Sequence, residues 1–318
     1  MKNSYSNIFR FNKKTLKKTI NFLNRNNVVG LPTETVYGLG GNAYSKISIK
    51  KIFKLKGRPS SNPLIIHYYN LDDAVKDVVV NKHFLKLYKN LCPGPITFIL
   101  NKKKNSQIHS IASAKLKTIA VRFPEHKITR AILKKVSFPL AMPSANKSMG
   151  ISPVNAKDVS NEFEKKIKFI IDGGNSKIGI ESTVVDLTSK PKILRPGIIS
   201  KNLIEKLLKL KIKKNTKINL IKSPGMMKKH YSPGIPVFIN QKKHDGESAF
   251  IYLGKRFKNK KNYFSLCENF NLNHAASNLY RVFRLIKRKG YKKIQICRIP
   301  NSGSGVAIND RIKRASKT

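Results

Sequence analysis

Between residues 210 and 237 the hydrophobic pattern of this chain breaks down. The stretch KIKKNTKINLIKSPGMMKKHYSPGIP (211–236) is polar, rich in lysine and punctuated by two Ser-Pro-Gly triplets. Proline fixes φ and blocks helix, and the glycine after it permits a tight turn. Such a segment has more persistence than a Gly/Ser tether and offers no apolar face for a core. It divides the 318 residues into a larger unit, 1–210, and a smaller one, 237–318. That length suits two domains, because single cores stop growing near this size.

In the larger unit, Leu16, Ile20 and Leu23 recur at helical spacing within 15–25, and a strand is expected at 28–31. Ile49, Ile52 and Phe53 mark a second helix that ends near Lys56-Gly57-Arg58-Pro59; Phe84, Leu87, Tyr88 and Leu91 mark a third. Strands are expected at 63–69, 96–100, 118–123, 168–172, 182–187 and 192–195, and further helices at 128–136, 156–166 and 200–210. Strands and helices mix without a regular βαβ rhythm. That predicts an α/β (α+β) class, with a twisted mixed sheet and helices packed on it. In the smaller unit, strands at 249–254, 262–266 and 293–299 surround a helix over 274–290, which predicts a small α/β domain.

Composition narrows the function classes. The formal charge is +49, from 65 Lys and Arg against 16 Asp and Glu, so anionic partners are favoured. Nucleic acid is one such class, since cations gain affinity by releasing counterions from phosphates. Yet lysines occupy nearly every expected solvent face and gather in no stripe, and abundant Lys, Asn and Ile match compositional drift. A diffuse field aids solubility and anion capture without naming a partner, and weak RNA binding, double-stranded RNA included, stays open. No run approaches the roughly 18 apolar residues of a membrane helix. The N-terminal MKNSYSNIFRFNKK lacks the apolar segment of a secretory signal, so no membrane association and a cytoplasmic location are expected. Cys92, Cys267 and Cys297 show neither metal-ligand nor redox spacing.

Several polar clusters sit beside strand ends. Pro32-Thr33-Glu34-Thr35 with Tyr37-Gly38-Leu39-Gly40-Gly41 reads by itself as a strand-to-helix turn, with Thr as N-cap and glycines relieving positive φ. Lys56-Gly57-Arg58-Pro59-Ser60-Ser61-Asn62-Pro63 fits either dipole compensation at a helix end or a polyphosphate site, with Arg58 as a bidentate fork. His67 lies within an apolar strand. Arg122 near the end of another needs an anion, and with so few acids in the chain a ligand is the attractive source. Ser144, Asn146, Ser148 and Ser152 lie between two prolines; Ser182 enters one strand and Arg195 leaves another. There is no GxxxxGK[ST] loop, CxxC pair, HExxH helix or GxSxG elbow. Hydroxyls, amides, arginines and one lysine bind and position anions; they are not an activated nucleophile.

Taken in order, PTETVYGLG, KGRPSSNPL, PGPITFIL, VRFP, PSAN, ESTVVDL and LRPG resemble the YrdC-like family. SPGMMKKHYSP, the small α/β unit and the closing GSGVAINDRIKRAS resemble that family's long, two-domain form, so the likeness covers nearly the whole chain. It implies a YrdC-like (DHBP synthase-like) sheet around a cationic cavity, a Rossmann-like second domain, and a nucleotidyltransferase. The implied reaction joins L-threonine, bicarbonate and ATP into threonylcarbamoyl-adenylate and pyrophosphate. This is the first step of a tRNA modification, completed by a transferase complex. Mg²⁺ would arrive on ATP, with no protein metal cage. Threonine contacts implied by the resemblance are Thr35, His67, Arg122, Met142 (mainly through backbone) and Ser182. ATP contacts are Arg58, Asn62, Thr118, Ser144, Ser152, Arg195 and Tyr231, with Lys56 and Arg58 acting electrostatically. Tyr231 would make the linker a lid. Two rivals are an RNA-binding module and a carbamoyl-adenylating domain of hydrogenase maturation; the latter usually sits in larger chains with paired cysteines, which this sequence lacks.

Overall fold

The computed structural model describes residues 5–212 and 230–317; most of the expected lid-linker, 213–229, lies outside the described residues. The first ten strands are β1 (Ile8–Arg10), β2 (Val29–Leu31), β3 (Gly38–Asn42), β4 (Ile65–His67), β5 (Ile96–Asn101), β6 (Thr118–Arg122), β7 (Leu140–Ala141), β8 (Ile170–Asp172), β9 (Thr183–Asp186) and β10 (Lys192–Arg195). They form one mixed sheet in the order β1-β8-β2-β3-β7-β4-β6-β5-β9-β10. Helices α1 (Lys13–Asn24), α2 (Lys46–Lys56), α3 (Leu71–Ala74), α4 (Lys82–Leu91), α5 (Lys127–Leu133), α6 (Ala156–Glu162) and α7 (Lys201–Leu208) accompany it. The mixed class expected from the irregular rhythm is the one observed.

Strand β5 shows why the sheet forms. Its residues Ile96 to Leu100 are all buried, so both faces are covered, and it pairs antiparallel with β6 and parallel with β9. Helix α4 packs Phe84 edge-on to Phe98 at 5.1 Å, an arrangement favoured by ring quadrupoles. The abundant asparagines, and serines with them, also work locally. Asn12, Ser45, Asn81, Asn155 and Ser200 each accept a backbone N–H in the first turn of a helix, stabilising each helix by about 1 kcal/mol.

One expectation is corrected here. The glycine-rich stretch after Tyr37 is not a turn into a helix but strand β3, antiparallel to both β2 and β7. Glycine serves there because neighbours approach too closely for a side chain: a Cβ on Gly38 would lie 2.4 Å from Met142 Cγ.

Four further strands, β11 (Val237–Phe238), β12 (Ala249–Tyr252), β13 (Tyr263–Ser265) and β14 (Ile294–Ile296), make an all-parallel sheet in the order β11-β14-β12-β13. Helices α8 (Leu272–Arg288) and α9 (Gly305–Ala315) pack on it. The closing segment, which sequence reading left without an element, is helical because Ala307, Ile308, Arg311, Ile312 and Ala315 bury one face. The two lobes touch closely. Arg284 of α8 donates to Ile151 O at 2.7 Å and lies 3.5 Å from Asp158. A Cβ on Gly179 (φ +74°) would meet the Ser277 backbone at 2.5 Å.

Replacing Gly38 with alanine is expected to lower stability by about 1–3 kcal/mol, the usual cost of overpacking. Denaturant unfolding measures this, and wild-type stability would mean Met142 can move aside freely.

Candidate functional site

The β2–β3 hairpin loop is stitched by its own hydroxyls. Thr33 Oγ1 donates to Val36 O at 2.6 Å and shares a 2.8 Å hydrogen bond with Thr35 Oγ1. Tyr37 OH donates to Gly174 O at 2.8 Å, tying the loop to the turn after β8. Strands β4 and β6 run parallel with His67 opposite Arg122, which puts both side chains at strand ends beside this loop. Burial, reinforced by the Arg122 charge, holds the His67 imidazole well below its ordinary pKa, so it is neutral at pH 7.

Arg122 has a protein partner. Its Nη2 donates to Glu34 Oε1 at 2.6 Å and to Thr35 Oγ1 at 2.7 Å. The expectation that a ligand is the attractive source of this arginine's counter-charge is therefore corrected: Glu34 of the PTET motif supplies it, and both side chains are 5 % exposed.

The opposite wall is cationic. Lys56, at the end of α2, donates to the carbonyls of Ser144 and Asn146 at 2.6 and 2.5 Å. Arg58, just past the Gly57 cap (φ +56°), is braced by Asn62 Oδ1 at 2.6 Å and Pro63 O at 2.7 Å. Arg195 leaves β10 and donates to Ser182 O and Oγ, both at 3.1 Å. Burial lowers the pKa of all three, and so does a neighbouring cation: Arg58 acts on Lys56, and Arg195 on Arg58. Three cations held together in a dry place are a site that favours an anion.

These groups line one cavity of about 30 Å³ together with His67, Arg122, Met142, Ser144, Glu181, His230 and Tyr231. Thr35, Asn62, Ser182 and Ser152 stand one step behind, each bonded to a wall residue: Arg122, Arg58, Arg195 and Glu181 respectively. Thr118 is not among the residues that line this cavity. It starts β6 opposite Asn101, and strand rise puts it about 13 Å from Arg122. Sequence reading missed Glu34, Glu181 and His230 as site residues, although each adjoins or belongs to a motif it had singled out.

Among the described residues six buried side-chain polar atoms find no protein partner. Five of them, Arg122 Nε, Asn146 Oδ1, Ser148 Oγ, His230 Nδ1 and Tyr231 OH, belong to residues of this one cavity. Buried groups are normally satisfied, so this concentration marks where a polar ligand binds. No group of three or more His, Cys, Asp or Glu among the described residues could hold a metal, and none of their helices is long and apolar enough to cross a membrane.

A family model described as "Telomere recombination" matches residues 21–197, and one described as "Threonylcarbamoyl-AMP synthase, C-terminal domain" matches 199–317. The threonylcarbamoyl-AMP synthase of Pyrococcus abyssi is 35% identical over 316 residues, covering 93% of this chain and 92% of that protein. The chain belongs to the threonylcarbamoyl-AMP synthase family. The Bacillus subtilis synthase is 33% identical over 92% of this chain and 90% of its own length. A crystal structure of P. abyssi Sua5 complexed with L-threonine superposes with a TM-score of 0.88 at 31% identity, covering 98% of this chain and 97% of that one. In this member of the synthase family, the cavity lies where the end of the linker meets both lobes.

The depressed Lys56 pKa has a measurable consequence. Inorganic triphosphate binding, followed by titration calorimetry, should weaken with rising pH well before the ordinary lysine pKa is reached. Lys56 gives up its proton well below the ordinary lysine value, and charge is lost from the anion site. Affinity constant up to that ordinary value would remove Lys56 from the site.

Proposed function

We propose that this cavity joins L-threonine, bicarbonate and ATP, and that its residues act by holding two anions together. The observation that supports this most is the concentration of unpartnered polar atoms beside a cluster of buried cations. In the proposed reaction the threonine amine takes up carbon dioxide derived from bicarbonate and loses a proton, giving a carbamate. A carbamate oxygen then attacks the α-phosphorus of ATP, the bond to the bridging oxygen breaks, and pyrophosphate leaves. This makes the enzyme a nucleotidyltransferase. Both reactants are negative, so their repulsion is the main barrier. Fixed donors lower it by positioning and by stabilising developing charge.

Geometry supports one assignment of ends. Arg122, with its Nε unpaired, and neutral His67 suit the threonine carboxylate and amine. Arg58 and Arg195, with Lys56 behind them, suit the phosphates. Glu181, the carboxylate on the wall, is taken by Arg311, Ser152 and Tyr280, so Mg²⁺ would enter as part of the ATP substrate. A cavity volume of 30 Å³ is well below the roughly 300–1,000 Å³ of small-molecule pockets; ATP therefore enters only when a wall moves. The segment at His230 and Tyr231 is the candidate, held by the 2.8 Å bond from Ser232 N to Met149 O. Closing it again would shield the labile carbamate and mixed anhydride from water. The product would then pass, in the cytoplasm, to a complex that transfers the threonylcarbamoyl group to tRNA.

The test is pyrophosphate release from ATP with threonine and bicarbonate omitted in turn. Release that ignores both omissions overturns the reading. Arg58→Ala should raise the KM for ATP at least tenfold with a smaller effect on threonine, and Arg122→Ala should do the reverse; equal effects on both substrates would contradict the assignment of ends.

A further inference from the structure

The larger lobe does not complete this cavity alone. From α9 of the smaller lobe Arg311, fully buried, crosses the junction. Its Nε donates to Glu181 Oε2 at 2.8 Å and its Nη1 to Pro196 O at 2.9 Å. Its guanidinium carbon lies 5.1 Å from the centre of the Tyr231 ring, within cation–π range. Asp310 holds Arg311 Nη1 at 2.8 Å and Arg314 Nε at 3.1 Å, and the Arg314 carbonyl accepts from His230 N at 3.4 Å. One face of α9 thus grips both residues at the end of the linker. On the other side, Ser152 Oγ donates to Glu181 at 2.5 Å and Tyr280 OH, from α8, sits 3.1 Å from each carboxylate oxygen.

A carboxylate in a wall built for phosphates is an odd component. Glu181 shares that wall with Arg195 and Arg58; released, it would pair with Arg195 and repel a triphosphate. We propose that Arg311 is a positioning residue for nucleotide binding: it keeps Glu181 from capturing Arg195 and keeps the Tyr231 ring over the cavity. The anion site is then assembled only when the smaller lobe is docked, which gives that lobe a direct part in the reaction. This rests on the cavity being the ATP site proposed above.

The experiment compares full-length Arg311→Met, Arg311→Lys, Glu181→Gln and the Arg311→Met/Glu181→Gln double variant with the wild type. ATP dissociation constants, threonine-dependent pyrophosphate release and thermal unfolding are measured for each. Arg311→Met should weaken ATP binding at least tenfold. The double variant, with no carboxylate left to take Arg195, should return to within threefold of wild type while its kcat stays low, because Tyr231 has lost its cation. Arg311→Lys, which keeps charge without the fork, should fall between. A merely structural arginine would lower the unfolding temperature and leave ATP affinity of the folded protein unchanged; that result, or a double variant no better than Arg311→Met, overturns the proposal. Should Arg311→Met not fold, the double variant is compared with Glu181→Gln. Equal ATP affinity with a lower kcat in the double supports the role, and tenfold weaker ATP binding in the double refutes it. If wild type binds ATP but releases no threonine-dependent pyrophosphate, the adenylation reading fails, and the dissociation constants still decide the role of Arg311.

Discussion

Burying like charges side by side is costly, and the architecture around Lys56, Arg58 and Arg195 exists to make it tolerable. Each cation is fixed by carbonyl or amide oxygens: Ser144 and Asn146 for Lys56, Asn62 and Pro63 for Arg58, Ser182 for Arg195. Those oxygens soften the desolvation cost without neutralising the charge. They come from the loop after β7, the loop before β4 and the entrance to β9, which sequence order keeps far apart, so the ten-stranded sheet is needed to bring them together. The Gly57 cap and the glycines of β3 are part of the same requirement: Gly57 takes the left-handed turn (φ +56°) that releases the chain from α2, and the β3 glycines let backbone crowd where side chains would not fit.

The larger lobe was readable where side-chain periodicity carries the signal. β5 and α4 have apolar residues at the spacing their surroundings demand; the sequence places β5 nearly to the residue and marks the four residues of one face of α4. β3 was not readable, because glycine has no side chain to alternate and its reason for being there is Met142, about a hundred positions away. The same limit applies to the site. Arg58, His67, Arg122, Arg195 and Tyr231 stand in motifs with local character, and they meet in one cavity. Glu34 as the partner of Arg122, and Glu181 with Arg311, are pairs 88 and 130 residues apart; no local pattern announces them.

The high positive charge takes on a more limited meaning in this light. Most lysines lie on the surface, in keeping with a compositional origin. Arg58, Arg122, Arg195, Arg284 and Arg311 are held in specific geometry at the cavity or the lobe junction. A planar fork with several donors can brace two or three oxygens at once, which an ammonium on a flexible stem does poorly.

The ion pair between Glu34 and Arg122 gives the cavity a polarity along its length. At that end the arginine charge is already balanced, leaving directional hydrogen bonding but little net field, whereas Lys56 and Arg58 crowd buried positive charge at the other. A small zwitterion and a polyanion would therefore sort themselves by charge density before any close fit is made. Phosphates would gain little at the balanced end, so the reactants of the proposed reaction would meet head to head in a single orientation.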